Sequence, residues 1–221
     1  MPKRSQTAGE FLEALAPHLL GELKPPAELS RFTRNPAVVG AYVESAVRRL
    51  IVRYVAPLCV STGAVIDQSN KPSDPKLPQV DTIIWTPSPV PAVFEVGEFA
   101  MVPRSSSLGV LEVKSSAYDT GALDTRLSDH LLRKLVADAI PGEPEPLLGL
   151  GVICVRLAKQ SRRRVEHMRN TASVVVLFEQ DGESYVPRPK DIYRLVNFLA
   201  GVRLRARFHH GLVGINLAAL P

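Results

Sequence analysis

The sequence predicts an α/β domain, with a central mixed β-sheet flanked by helices on both faces. Segments with apolar residues at helical spacing alternate with short runs of β-branched and bulky residues, which are typical of buried strands. Their order is a helix, three strands, a helix, a strand, and then further strands and a last helix. Elements in this order pack as helices on a sheet. With 221 residues, 45% of them apolar, the chain is long enough to bury one large core.

The clearest helix begins at Asn35 and Pro36, which suit an N-cap and a first helical turn. Its apolar spacing continues to about Val55, and Pro57 ends it. Similar spacing predicts helices over residues 9–24, 126–140 and 190–208. We therefore expect an N-terminal helical extension over residues 1–34 and one domain over residues 35–221.

Strands are predicted where β-branched and bulky residues lie between turn residues. Gly63 indicates a bend or bulge within the first of them. Asp181 and Gly182 predict the turn of a hairpin. The predicted strands cover residues 58–66, 79–85, 93–94, 99–102, 108–115, 147–157, 173–178 and 184–186.

Composition excludes several classes of protein. No apolar run reaches the roughly 18 residues that a transmembrane helix needs. Glu10, Glu13 and His18 interrupt the N-terminal apolar stretch, so we expect no signal peptide and a cytoplasmic location. No pair of Cys or His has the spacing of a structural zinc site. The net charge of +5 is compatible with a polyanionic partner but does not require one.

Two charged residues, Glu112 and Lys114, interrupt a strand that is otherwise apolar. Side chains two residues apart project from the same face of a strand. Burying a charge costs on the order of several kcal/mol unless the charged group is paired or binds a metal. One interpretation is a solvated ion pair at the open end of the strand, worth at most about 1 kcal/mol. The other is a metal site, with Glu112 as a ligand and Lys114 beside it.

Two further acidic residues lie in apolar surroundings. Asp81 is the one acid in a predicted strand, although Asp is disfavoured both in strands and in buried positions. Glu44 lies among apolar neighbours on the helix that precedes these strands. It either points inward or forms a solvated pair with Arg48, four residues on.

If the strands of Asp81 and Glu112 are neighbours, their carboxylates can face each other about 5 Å apart. Two carboxylates at that distance repel each other unless a cation lies between them. Mg²⁺ or Mn²⁺ prefers such oxygen ligands, and the main-chain carbonyl of Val113 would add a neutral one. Lys114 could then orient an attacking water or stabilise the transition state.

These residues carry a resemblance to a known superfamily. Glu44 on a helix in the pattern Gly-x-x-x-Glu, Asp81 on a strand, and Glu-Val-Lys at residues 112–114 resemble the PD-(D/E)xK nuclease superfamily, which has the restriction-endonuclease-like fold. More narrowly, residues 62–67, 79–84 and 110–115 resemble the uncharacterised nuclease-like family DUF6602. The resemblance covers roughly residues 35–157.

The resemblance implies an αβββαβ core, dependence on Mg²⁺ and hydrolysis of phosphodiester bonds. It implies that Asp81 and Glu112 are metal ligands and that Lys114 is the catalytic lysine. Glu44 would be a further ligand or a neighbour of the ligands, and Gln79 would lie at the edge of the site.

The expected substrate is nucleic acid, with DNA favoured over RNA by the resemblance. Residues Arg162, Arg163 and Arg164 form a basic run suited to phosphate contacts, although a solvated basic face explains it equally well. Two alternatives stay open: a catalytically silent nucleic-acid-binding or scaffold protein, and a nuclease activated by a protein partner or a nucleotide. The apolar N-terminal helix is a candidate homodimer surface.

Overall fold

A computed structural model describes residues 10, 21, 23, 29, 32–66, 79–88, 90–116, 149–157, 173–181 and 184–217. The two long helices of this part of the chain are α1 (Pro36–Val55) and α2 (Pro189–Leu217). Its strands are β1 (Cys59–Ile66), β2 (Val80–Trp85), β3 (Phe94–Val96), β4 (Phe99–Pro103), β5 (Ser107–Ser116), β6 (Gly149–Leu157), β7 (Ser173–Asp181) and β8 (Ser184–Pro187).

The strands form one sheet in the order β3-β4-β1-β2-β5-β6-β7-β8. Strand β1 is parallel to β4, and β5, β6 and β7 are parallel to one another. The remaining neighbours are antiparallel, so the sheet is mixed, as predicted. Strands β1, β2 and β5 are adjacent in the sheet, and the hairpin β3–β4 is an addition to the predicted core, placed at the edge beside β1.

Helix α1 begins as predicted. The side-chain Oδ1 of Asn35 accepts a hydrogen bond from the N–H of Ala37 at 3.1 Å, and Pro36 occupies the first turn. The buried face of α1 shares one apolar core with α2 and with strand β5. This core includes Val43, Val47, Ile51, Leu111, Val113, Leu195, Leu199 and Val202.

The opposite face of the sheet is buried as well, because Ile83, Val110 and Val176 are fully inaccessible to solvent. The predicted helices over residues 9–24 and 126–140 fall outside the described residues, apart from residues 10, 21 and 23. The division at residue 34 likewise remains a prediction. No helix in the described ranges is long and apolar enough to cross a membrane.

Three elements, β3, β7 and α2, extend two or more residues beyond their predicted C-terminal ends. Strand β3 continues to Val96, and the turn is confined to Gly97, at φ +59°, and Glu98. Pairing with β4 decides this boundary, which local composition does not reveal. Strand β7 and helix α2 extend further than predicted, to Asp181 and Leu217. No proline interrupts α2 between residues 190 and 217, so its backbone hydrogen bonds can continue.

Candidate active site

A β-bulge in strand β2 sets the position of Asp81. The register between β1 and β2 shifts between Ser61 and Gly63, so that Asp81 and Thr82 together oppose a single residue of β1. Gly63, at φ +141°, adopts a backbone conformation that other residues rarely take. Bulges bend a strand and redirect its side chains, and they are frequent beside active sites.

Asp81 and Glu112 lie opposite one another on neighbouring strands. Strands β2 and β5 are antiparallel, and Thr82 is paired with Leu111, so the same register continued by one residue sets Asp81 opposite Glu112. The two strands are therefore neighbours, as the predicted carboxylate pair requires.

The ammonium group of Lys114 contacts both carboxylates. Its Nζ donates to Glu112 Oε1 at 2.5 Å and lies 3.8 Å from Asp81 Oδ2. The main-chain N–H of Val113 donates to the same Asp81 oxygen at 2.8 Å. Because both carboxylate oxygens contact one nitrogen, they lie closer than the roughly 8 Å beyond which no ion with ligands near 2.1 Å could bind both.

Burial decides between the two interpretations of the Glu112–Lys114 pair. Glu112 is 4% exposed, whereas the side chain of Lys114 is 28% exposed. The pair is therefore not the fully solvated ion pair of the first interpretation. The carboxylate lies in the protein interior and the ammonium group reaches partly into solvent.

The pKa of Asp81 is raised to about 7, first by burial and second by the nearby negative charge of Glu112. The Val113 N–H and the Lys114 ammonium act in the opposite direction but do not restore the ordinary pKa of 3.8. Near neutral pH this carboxylate therefore holds a proton part of the time. A second cation beside it would favour the ionised form.

Glu44 approaches this cluster from α1. Burial raises its pKa, the positive charges of Arg48 and Lys114 lower it, and Glu112 raises it further. The distance from Arg48 Nη1 to Glu44 Oε2 is 4.0 Å, the outer limit of an ion pair. The expected pairing with Arg48 is thus present only as a long contact, and Glu44 also faces the residues of β5.

Arg48 is also part of this site, although the sequence had suggested for it only a pairing with Glu44. It is buried, and its Nη1 donates to the main-chain carbonyl oxygen of Asp81 at 2.8 Å. Its Nε and Nη2 donate to Glu98 Oε2 at 3.1 Å and 2.8 Å. The available signal was a charged residue between the apolar positions Val47 and Ile51 of a helix. Its partner Glu98 lies 50 residues away in the chain, which no local pattern could reveal.

The donor atoms of this cluster fit Mg²⁺ or Mn²⁺, which prefer carboxylate and carbonyl oxygens. Asp81 and Glu112 would hold the ion, with the carbonyl of Val113 and the carboxylate of Glu44 as further oxygen donors. Among the residues that the structure describes, no group of three or more His, Cys, Asp or Glu side chains is placed to hold a metal ion together, so Glu44 joins Asp81 and Glu112 as a ligand only as a prediction from the sequence.

Gln79 is exposed and immediately precedes β2. Arg162, Arg163 and Arg164 lie outside the described residues. Trp85 is buried and donates its indole N–H to Ser61 Oγ at 3.1 Å.

No protein-family model matches this chain, and no curated protein is similar to it in sequence. The solved structures with a similar fold include three of NucC. NucC from E. coli MS115-1 in its cAAA-bound form has a TM-score of 0.61 and 12% identity, over 92% of this chain and 93% of that chain. NucC from P. aeruginosa ATCC27853, also cAAA-bound, has a TM-score of 0.60 and 12% identity, over 89% and 92%. The apo form of the E. coli protein has a TM-score of 0.56 and 14% identity, over 92% and 93%.

The similarity extends over nearly the whole chain and confirms the predicted fold, a restriction-endonuclease-like mixed β-sheet flanked by helices. The narrower resemblance to the family DUF6602 receives no support from these comparisons. At such low identity the similarity is evidence about the fold alone.

Proposed function

We propose that this protein is a metal-dependent nuclease that hydrolyses phosphodiester bonds of DNA, with Asp81, Glu112 and Lys114 at its active site. One observation carries the proposal. Two carboxylates from adjacent strands face each other beside a single lysine, and the pKa of Asp81 is raised to about 7. Strongly shifted pKa values with a specific charged partner are typical of functional sites.

Each residue has a distinct role in the proposed reaction. Asp81 and Glu112 would bind Mg²⁺ or Mn²⁺, with Val113 and Glu44 contributing further oxygens. When bound, the ion would polarise the scissile phosphate and lower the pKa of a bound water. Lys114 would donate a hydrogen bond to the attacking water or to a phosphate oxygen, because its ammonium is held by Glu112 and remains partly exposed.

The main chain supports this arrangement. The N–H of Val113 holds one oxygen of Asp81 at 2.8 Å. The other oxygen of that carboxylate, Oδ1, would then be directed to the ion. A main-chain donor on a central strand moves little, so the ligand would be in place before the substrate binds.

DNA is the preferred substrate because the NucC neighbours share this fold and because the chain carries a net charge of +5. The basic run at residues 162–164 and the exposed Gln79 are candidates for contacts with the phosphate backbone and the edge of the site. A homodimer would place two such sites on one duplex.

The test is cleavage of plasmid DNA, single-stranded DNA and RNA in Mg²⁺, Mn²⁺ or EDTA. We expect metal-dependent cleavage of DNA that falls by at least about 10²-fold in Asp81→Ala and in Lys114→Ala, the size expected for loss of a catalytic electrostatic group. Glu95→Gln, which removes an exposed carboxylate from β3, is the matched control and should cleave normally. Cleavage that persists in both active-site variants would contradict the proposal.

A second candidate function is a nuclease that is silent until a protein partner or a nucleotide activates it. Two of the neighbouring NucC structures are cAAA-bound forms, which favours a nucleotide as the activator. The same assay with added cAAA tests this candidate. Cleavage that appears only with the nucleotide would support it, and a protein that binds Mg²⁺ yet cleaves nothing under either condition would favour the silent scaffold.

A further inference from the structure

We propose that Arg48 is a positioning residue for Asp81, and that Glu98 at the tip of the β3–β4 hairpin holds Arg48 in this role and away from Glu44. The inference rests on the proposed function, because it assigns to Arg48 and Glu98 the placement of two proposed metal-binding carboxylates.

The first support is the hydrogen bond of Arg48 to the main chain of Asp81. Its Nη1 donates to the Asp81 carbonyl oxygen at 2.8 Å, while the N–H of Val113 binds the Asp81 side chain at 2.8 Å. Asp81 is thus held at two points, one on its backbone and one on its carboxylate. It also lies in the bulge of β2, where β1 supplies one residue opposite two and so restrains the backbone less than a regular ladder would.

The second support is the way the hairpin holds the guanidinium group. Nε and Nη2 both donate to Glu98 Oε2, and Ser45 Oγ donates to Glu98 Oε1 at 3.3 Å. The main-chain carbonyl of Glu98 in turn accepts the N–H of Thr62, the residue of β1 opposite the bulge, at 2.7 Å. The hairpin tip therefore joins α1 and β1 at the height of Asp81.

The third support is the position of Glu44. Arg48 is buried, and an arginine without its counter-charge in such a place moves towards another carboxylate. Glu44, at 4.0 Å from Nη1, is next to it. While the Glu98 carboxylate binds the guanidinium group of Arg48, the Glu44 carboxylate stays available to the charged cluster on β5. Without Glu98, Arg48 would pair with Glu44 and move the Glu44 carboxylate away from the cluster on β5.

Amide hydrogen exchange of the full-length protein, without metal or substrate, tests the positioning of Asp81. The Val113 amide reports directly on the Asp81 carboxylate that accepts its hydrogen bond. In Arg48→Met we expect exchange at Val113 to rise about tenfold more than at Ile153 in central strand β6, the effect of weakening one charge-assisted hydrogen bond. Arg203→Met is the matched control, since Arg203 is exposed and also donates to a main-chain carbonyl, that of Tyr54. Arg203→Met should leave the ratio of the Val113 exchange rate to the Ile153 exchange rate unchanged.

An equal rise at Val113 and Ile153 would reveal a general loss of stability and overturn the positioning role. Glu98→Gln keeps the proposal testable if Arg48→Met does not fold, because it removes only a partly exposed carboxylate, 55% accessible. It should raise Val113 exchange about threefold over Ile153, as a smaller change to the same contact. No selective change in this variant would also overturn the proposal.

Titration with Mn²⁺ tests the role of Glu98 towards Glu44. We expect Glu98→Gln to weaken Mn²⁺ binding about fivefold, and to have no such effect in a Glu44→Gln background, since the two residues act through one contact. Equal weakening in both backgrounds would overturn that part of the proposal. The hydrogen-exchange measurement depends on neither metal binding nor cleavage, so it tests the positioning of Asp81 independently. A wild-type protein that neither binds Mn²⁺ nor cuts DNA would contradict the proposed function, but it would not decide whether Arg48 positions Asp81.

Discussion

The charged cluster at the start of α2 and the cluster on β2 and β5 both bury a carboxylate, but they differ in charge balance. Asp191 is fully buried and accepts from Arg188 Nε and from Arg194 Nη1, each at 3.0 Å. Arg188 also binds Glu179 at 3.1 Å. Two carboxylates and two guanidinium groups there satisfy one another.

In the contacts between described residues on β2 and β5, two carboxylates face one ammonium group. Asp81 and Glu112 share the ammonium of Lys114, and Glu44 has only a long contact to Arg48. The pKa of Asp81 is raised to about 7, first by burial and second by the negative charge of Glu112. A buried charge therefore does not by itself indicate a functional site. An excess of buried negative charge does, because it favours the binding of a further cation.

The largest effect that follows from this contrast is in the balanced cluster. Asp191→Asn leaves two guanidinium groups without their shared carboxylate, and we expect the free energy of unfolding to fall by about 3–5 kcal/mol, the usual result of breaking a buried ion pair. Urea unfolding monitored by circular dichroism measures the change. A loss below about 1 kcal/mol would show that the ion pairs of this cluster contribute little to the free energy of unfolding.

The corresponding substitution in the unbalanced cluster should have the opposite sign. The pKa of Asp81 is higher in the folded protein than its ordinary value of 3.8, so the unfolded chain releases this proton first as the pH rises. The ionised carboxylate then destabilises the fold progressively between about pH 4 and pH 7, and fully above that. Asp81→Asn should therefore raise the free energy of unfolding of the metal-free protein at pH 8 by about 1–3 kcal/mol.

Unfolding of wild type and Asp81→Asn at pH 4.5, about 6 and about 8 measures this difference, which should widen with pH up to about 7 and then stay constant. Saturating Mg²⁺ should reduce the difference, because the ion stabilises the wild type alone. A variant that is less stable than wild type at pH 8 without metal would contradict the assigned excess of negative charge.

The smallest effect separates the two partners of Asp191. The side chain of Arg194 is 54% exposed, whereas that of Arg188 is 27% exposed and binds two carboxylates. We expect Arg194→Met to cost less than about 1 kcal/mol, as exposed ion pairs do, and Arg188→Met to cost clearly more. Equal losses in the two variants, measured by thermal unfolding, would show that exposure does not govern this cluster.

The sequence by itself determined the fold class and the chemical character of the site. Helix α1, its N-cap and strands β1, β2 and β5 follow from local spacing, since a helix and a strand each impose their own period on the apolar residues. Asp81 and the pair Glu112 and Lys114 were recognisable because charged residues in apolar strands are costly. The ends of β3 and β7 were not, because pairing with neighbouring strands sets them.

Only the tertiary structure decided how these residues meet. The pairing of β2 with β5 and the bulge in β2 set Asp81 opposite Glu112, 31 positions apart, and no local pattern specifies a register over that distance. The link from Arg48 to Glu98 joins residues 50 apart through a hairpin that the predicted core did not include. The residue types follow local patterns, whereas the raised pKa of Asp81 arises only when the sheet buries this carboxylate and brings Glu112 beside it.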